Sequence, residues 1–119
     1  MAHLSKGIDI TLLQELSGNS TEFVLEMLRM YLTQLPEAMS ELEENLTDNN
    51  YKRISEIAHR IKPNFAYIGM PETTELMQKL ERLGRDQAGD PEIKTIINNL
   101  GGVISNTLLE IHNVIENLH

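Results

Sequence analysis

Between Val24 and Leu46 the apolar residues Val24, Leu28, Tyr31, Leu35, Met39, Leu42 and Leu46 step by three or four positions without losing phase. Residues so spaced lie on one face of a helix. Phe23, Met27 and Leu32 widen the stripe, as the face of a bundle helix requires. A chain holding such a stripe must supply other apolar faces to cover it, and the remaining sequence does. Ile54, Ile57, Ala58, Ile61, Phe65 and Ile68 form a second stripe. Leu76, Met77, Leu80 and Leu83 form a third. Ile93, Ile96, Ile97, Leu100, Ile104, Leu108, Ile111, Ile115 and Leu118 form a fourth.

The stretches between stripes carry start and stop signals. Residues 1–8 have no periodic signal and are expected to fray. Asp9 is read as the N-cap of a short helix through Leu16, with Leu12, Leu13 and Leu16 on one side. Ser17-Gly18-Asn19 ends it, and Ser20 or Thr21 caps the next helix with Glu22 in its first turn. Pro36 predicts a kink there and no chain reversal, because the stripe keeps phase across it. Thr47-Asp48-Asn49-Asn50 predicts a turn, followed by a helix from about Tyr51 to Ile68. Gly69 suits the left-handed position that closes a helix, and Pro71 suits the first turn of the next, which Gly84 is expected to stop. After a flexible Arg85–Gly89 connection, Asp90-Pro91-Glu92 starts a last helix running to about Asn117. Gly101-Gly102 inside it costs roughly 2 kcal/mol of propensity relative to alanine, so a bend or close helix approach is expected there. No strand pattern or repeat competes. The expected fold is all-α: one domain over residues 1–119, an antiparallel up-down four-helix bundle with a short extra N-terminal helix.

Composition removes several function classes. Without cysteine there is no disulfide framework, thiolate chemistry or cysteine zinc site. No apolar run approaches the roughly 18 residues of a membrane span, and the N-terminus lacks a signal-peptide apolar region, so a cytoplasmic location away from membranes is expected. The net charge of −8 argues against nucleic acid as a partner. Its distribution is uneven: two basic and nine acidic side chains in residues 1–50, seven and four in 51–85, one and five in 86–119. One positive segment in an acidic chain suits an acidic or phosphorylated partner, although charge can also segregate along solvated helix faces.

Few residues offer chemistry. Gly101-Gly102 lacks the Lys-Ser/Thr that a phosphate loop needs. His3, His59, His112 and His119 are too scattered for a preformed zinc site. Glu41, Glu43 and Glu44 read as a solvated face, and the six methionines as core filling. His112, beside the core position Ile111, is read as partly covered. His59 differs. It lies two residues, about 200° of helical turn, from both Ile57 and Ile61, so it points away from the core. Lys62, Pro63, Ala66 and Ser55 share its side and add little bulk. Periodicity alone is equally satisfied by a surface histidine with no role.

Ala58-His59-x-Ile61-Lys62 followed by Ile68-Gly69 resembles the signature of histidine-containing phosphotransfer (HPt) domains, the intermediate carriers of multistep phosphorelays. The family pattern is Ala-His-x-Leu-Lys-Gly, a small-residue stretch, then an aliphatic residue and glycine. Asp9–Leu16, the Phe23–Leu46 stripe with Pro36, and Leu80-Glu81-x-x-Gly84-Arg85 also resemble the family layout, so the likeness spans residues 8–118. It implies that His59 accepts the phosphoryl group and that Lys62 neutralises phosphoryl oxygens. It implies that receiver domains of response regulators dock beside them over Ser55, Pro63, Ala66, Lys79, Arg82 and Arg85. Solubility accounts for the last three equally well. It further implies a hybrid sensor histidine kinase upstream, Mg²⁺ on the receiver and no cofactor on this chain, and a monomeric phosphocarrier without turnover of its own. The chemistry suits imidazole, whose ordinary pKa of about 6.5 leaves a nucleophilic nitrogen near neutrality. One position departs from the pattern: Pro63 replaces the family glycine and cannot donate to the His59 carbonyl four residues back. Rival readings are an HPt-like adaptor that binds a receiver without transfer, an unrelated helical interaction module, and a bundle enzyme or metalloprotein.

Overall fold

The computed structural model describes residues 7–118. Five helices follow in order: α1 (Thr11–Leu16), α2 (Thr21–Thr47), α3 (Tyr51–Tyr67), α4 (Pro71–Asp86) and α5 (Pro91–Leu118). There is no strand among the described residues. The connections after α2, α3 and α4 are three or four residues long, so successive helices run antiparallel. Around the bundle α2 packs on α3, α3 on α4, α4 on α5, and α5 back on α2. The molecule measures 44 Å along its longest axis, close to the roughly 42 Å of α5 at 1.5 Å per residue.

Each helix begins and ends as its termini dictate. Ser20 caps α2, its hydroxyl accepting from the Phe23 amide, and Asn50 caps α3 by accepting from the Arg53 amide. The end of α3 is a Schellman motif: the Met70 amide donates to Phe65 O, the Gly69 amide to Ala66 O, and Gly69 sits at φ +71°. Pro71 and Pro91 stand at the first positions of α4 and α5. Pro36 lies inside an unbroken α2, with Leu28, Tyr31 and Leu35 buried before it and Met39 and Leu42 after it.

The core is the set of stripes. Ile54, Ile57, Ala58, Ile61, Phe65 and Ile68 are all buried, as are Met77, Leu80 and Leu83 from α4, and Ile93, Ile96, Ile97, Leu100, Ile104 and Ile111 from α5. Leu46, Leu76, Leu108, Ile115 and Leu118 are partly buried against it.

Several expectations are corrected. Leu13 alone is buried in α1, while Leu12 and Leu16 are exposed, because a six-residue helix laid against α2 has room for one inward position. Asp9 begins the turn one residue earlier than a cap, its carboxylate accepting from the amide and hydroxyl of Thr11. Gly7 and Ile8 were expected to fray, yet Ile8 packs on the core and its amide donates to Glu110. Residues 1–6, with His3, lie outside the described residues, as does His119. Phe23 is exposed, and so is His112. Gly84 does not stop α4, which continues through Asp86. Gly101 and Gly102 meet no close neighbour, so α5 gains no tight helix contact there.

Candidate functional site

Register between α3 and α4 creates the site. His59 and Lys62 stand one turn apart on α3, and Gln78 and Glu81 one turn apart on α4. The helices are antiparallel, so three residues forward on α3 meets three residues back on α4. His59 therefore faces Glu81 and Lys62 faces Gln78. His59 Nδ1 lies 2.9 Å from Glu81 Oε2, and Lys62 Nζ lies 3.1 Å from Glu81 Oε1 and 2.7 Å from Gln78 Oε1. The histidine side chain is 69% exposed, whereas those of Lys62 and Glu81 are 23% and 15% exposed.

The close approach of the two helices holds this register. Ser55 Oγ donates to the Glu81 carbonyl at 2.8 Å, and Gly84 lies against the backbone of Tyr51 and Ser55. Only glycine fits between them, since a Cβ at position 84 would stand 2.8 Å from Tyr51 O.

The chemistry of His59 follows from Glu81. Burial would raise the Glu81 carboxyl, but hydrogen bonding and charge from Lys62, joined by His59, outweigh it and hold the group below its ordinary value. Glu81 is thus a carboxylate near neutral pH, and a carboxylate only accepts hydrogen bonds. The ring must then donate from Nδ1, which leaves the Nε2 lone pair pointing away from Glu81 as a nucleophile on an exposed ring.

The other sequence-derived positions divide. Pro63 and Ala66 are exposed along α3 on the side of His59. Ser55, expected on that surface, is buried beneath it at 9% exposure, because its hydroxyl is spent on the Glu81 carbonyl. Lys79 pairs with Glu92 at the start of α5. Arg85 pairs with Asp86 through two hydrogen bonds, and the exposed Arg82 adds its charge near the same carboxylate. Arg53 and Arg60 converge on Glu41 of α2. The basic segment seen in sequence is therefore partly neutralised, by Glu41 and Glu92 brought in by the fold and by Asp86 directly following Arg85 in the chain. No group of three or more acidic or imidazole side chains among the described residues could hold a metal ion. No helix of the described residues is long and apolar enough to cross a membrane.

Glu81 and Gln78 were not singled out from the sequence. Glu81 figures there only within the Leu80-Glu81-x-x-Gly84-Arg85 likeness. The signal that finds them is the matched one-turn spacing of 59/62 and 78/81 on consecutive antiparallel helices.

Comparison with known proteins bears on the family of the chain. The chain is 25% identical over 91 residues to the signal transduction histidine-protein kinase BarA of Escherichia coli K12, covering 73% of this chain and 10% of the relative. The BarA proteins of Escherichia coli O157:H7 and Shigella flexneri match to the same extent. The chain thus spans about a tenth of the length of these relatives. No solved structure matches significantly. The family model for the Hpt domain matches residues 26–118, which include α3, α4, α5 and most of α2, and the chain belongs to the Hpt domain family of two-component phosphorelay signalling.

Proposed function

We propose that this chain relays a phosphoryl group between aspartates of response-regulator receiver domains through Nε2 of His59. The observation that carries the reading is the exposed imidazole whose Nδ1 is committed to Glu81, leaving Nε2 free for in-line attack. Phosphoryl transfer asks little covalent work of a protein beyond positioning and charge stabilisation. Lys62, one turn from His59 and already held over the site by Gln78 and Glu81, supplies the cation for the phosphoryl oxygens. The receiver brings the second reactive group, its aspartate, together with Mg²⁺.

The docking surface is the outward side of α3 around His59, Pro63 and Ala66, with Arg82 and Arg85 at the α4 margin. Pro63 and Ala66 are compact and uncharged, so a receiver can come close to the ring. The upstream partner is a hybrid sensor histidine kinase, the downstream partner a second receiver, and the chain acts in the cytoplasm as a monomeric carrier with no turnover of its own.

The test is transfer of label. The protein is incubated with a phosphorylated receiver and Mg²⁺, and acid-labile, base-stable label is sought on the chain. Label that disappears in His59→Gln supports the reading, and label that persists there sinks it. Absence of label with every receiver of the source organism favours a binding adaptor instead.

A further inference from the structure

Phosphorylation at Nε2 leaves the ring with one remaining nitrogen, Nδ1, and the structure sets a carboxylate 2.9 Å from it. That contact bears on how the group leaves. In the inward step the Nε2 lone pair forms the N–P bond while the P–O bond to the donor aspartate breaks, its electron pair staying on that carboxylate. The ring keeps its Nδ1 proton and becomes positively charged beside the phosphoryl group. In the outward step a carboxylate oxygen of the next receiver forms a new O–P bond, the N–P bond breaks, and its electron pair returns to Nε2. A ring protonated at Nδ1 departs as neutral imidazole. A ring that has lost that proton must depart as imidazolate, a far more basic and slower leaving group.

We propose, resting on the carrier reading above, that Glu81 is a positioning residue that keeps Nδ1 of phosphorylated His59 protonated through the neutral pH range, so that the chain releases its phosphoryl group as readily at mildly alkaline as at mildly acidic pH. A charge-assisted hydrogen bond from a cationic ring to a carboxylate is about twice as strong as its neutral counterpart. Glu81 itself is mostly shielded, while the ring it meets stands open to solvent. The surrounding charges leave it available. Lys62 of α3 engages the other oxygen of Glu81 and does not compete for Oε2. Arg60, also on α3, is held by Glu41 of α2, and Arg85 of α4 is held by Asp86, although its charge also acts on Glu81. Glu81 is thus the carboxylate that meets the ring, and each of its two oxygens has its own donor.

The proposal is tested by the pH profile of outward transfer. Phosphorylated wild-type protein and Glu81→Gln are each mixed with excess unphosphorylated receiver and Mg²⁺ between about pH 6 and about pH 8.5, and loss of label from His59 is timed. Glutamine keeps the shape and still accepts from Nδ1 but carries no charge. The ratio of variant to wild-type transfer rate is expected to fall about tenfold from the acidic to the alkaline end. A constant ratio at every pH, or no difference, overturns the proposal. Wild-type protein that takes no label sinks the carrier reading itself, a failure told apart because nothing is phosphorylated. A second measurement does not depend on the variant: in ¹⁵N-histidine spectra of phosphorylated wild-type protein the Nδ1 proton is expected to remain bound near pH 8. Its release at the same pH as in the urea-unfolded phosphoprotein overturns the proposal.

Discussion

Gly84 faces Tyr51 across the α3–α4 contact with so little room that a Cβ at position 84 would stand 2.8 Å from the Tyr51 carbonyl oxygen and 3.1 Å from the Ser55 amide nitrogen. Both neighbours are backbone atoms and cannot rotate away. Gly84→Ala is therefore expected to destabilise the fold by about 1–3 kcal/mol, despite alanine's better helix propensity. The strain should part the helices where the site is built. Chemical denaturation should show the lower midpoint, and the His59 ring resonances should shift as the bond to Glu81 lengthens.

Gly101 and Gly102 make the opposite case. Both lie inside α5, and a Cβ at either would meet nothing within 4 Å. Gly101→Ala and Gly102→Ala are each expected to stabilise the protein by about 0.5–1 kcal/mol, by removing the backbone entropy that glycine loses on folding. The measurement is the same denaturation midpoint, moved upward.

The contrast between these glycines shows what the chain discloses before it folds. Stripe periodicity is a property of one helix, so the helices, their buried faces and the outward direction of His59 were legible residue by residue. Whether Gly84 ends a helix or admits a neighbour depends on what lies across the interface, which is set by the register of α3 on α4. The same register pairs His59 with Glu81 and buries Ser55 under the surface it was expected to share. Charge was misleading for a related reason. Residues 51–85 look basic in a one-dimensional count, but the fold brings Glu41 to Arg53 and Arg60 and Glu92 to Lys79, while Asp86, the next residue in the chain, pairs with Arg85.

The Glu81 carboxyl makes the stability of the bundle depend on acid. Burial opposes its charge, but Lys62 and His59 together hold its folded value below the ordinary 4.5. A carboxyl whose value is lower in the folded than in the unfolded state stabilises the fold above the unfolded value, and that stabilisation is lost as pH falls through the folded one. The stability gap between wild type and Glu81→Gln is accordingly expected to be fully present near pH 7 and to shrink below about pH 4.5. Urea titrations at several pH values read it directly. A gap that stays constant into acid would show that shape, and not charge, is what Glu81 contributes.

Tyr31 places a hydroxyl in the core. Its side chain is fully buried, its oxygen has no hydrogen-bond partner among the described residues, and burial, with Tyr67 nearby, pushes its pKa up to about 12. A buried donor without a partner opposes folding. Tyr31→Phe keeps the ring and removes the oxygen, so stability is expected to be unchanged or to rise by up to about 1 kcal/mol. A clear loss would reveal a partner for the hydroxyl, and the thermal midpoint decides.

Pro63 is the position where the chain gives up helix stability beside His59. It lies within α3, exposed, and its ring nitrogen carries no proton for the His59 carbonyl one turn back. That carbonyl loses the amide that would otherwise close the turn. Pro63→Ala restores the missing amide without emptying any packed space, because the proline ring faces outward. The substitution is expected to raise stability by as much as about 3 kcal/mol, the propensity difference between the two residues in a helix interior. Denaturation gives the size of the gain, and hydrogen exchange gives its cause: the new amide at position 63 should exchange slowly if it bonds to the His59 carbonyl. Fast exchange with no gain in stability would mean that α3 is already bent too far at His59 for the bond to close.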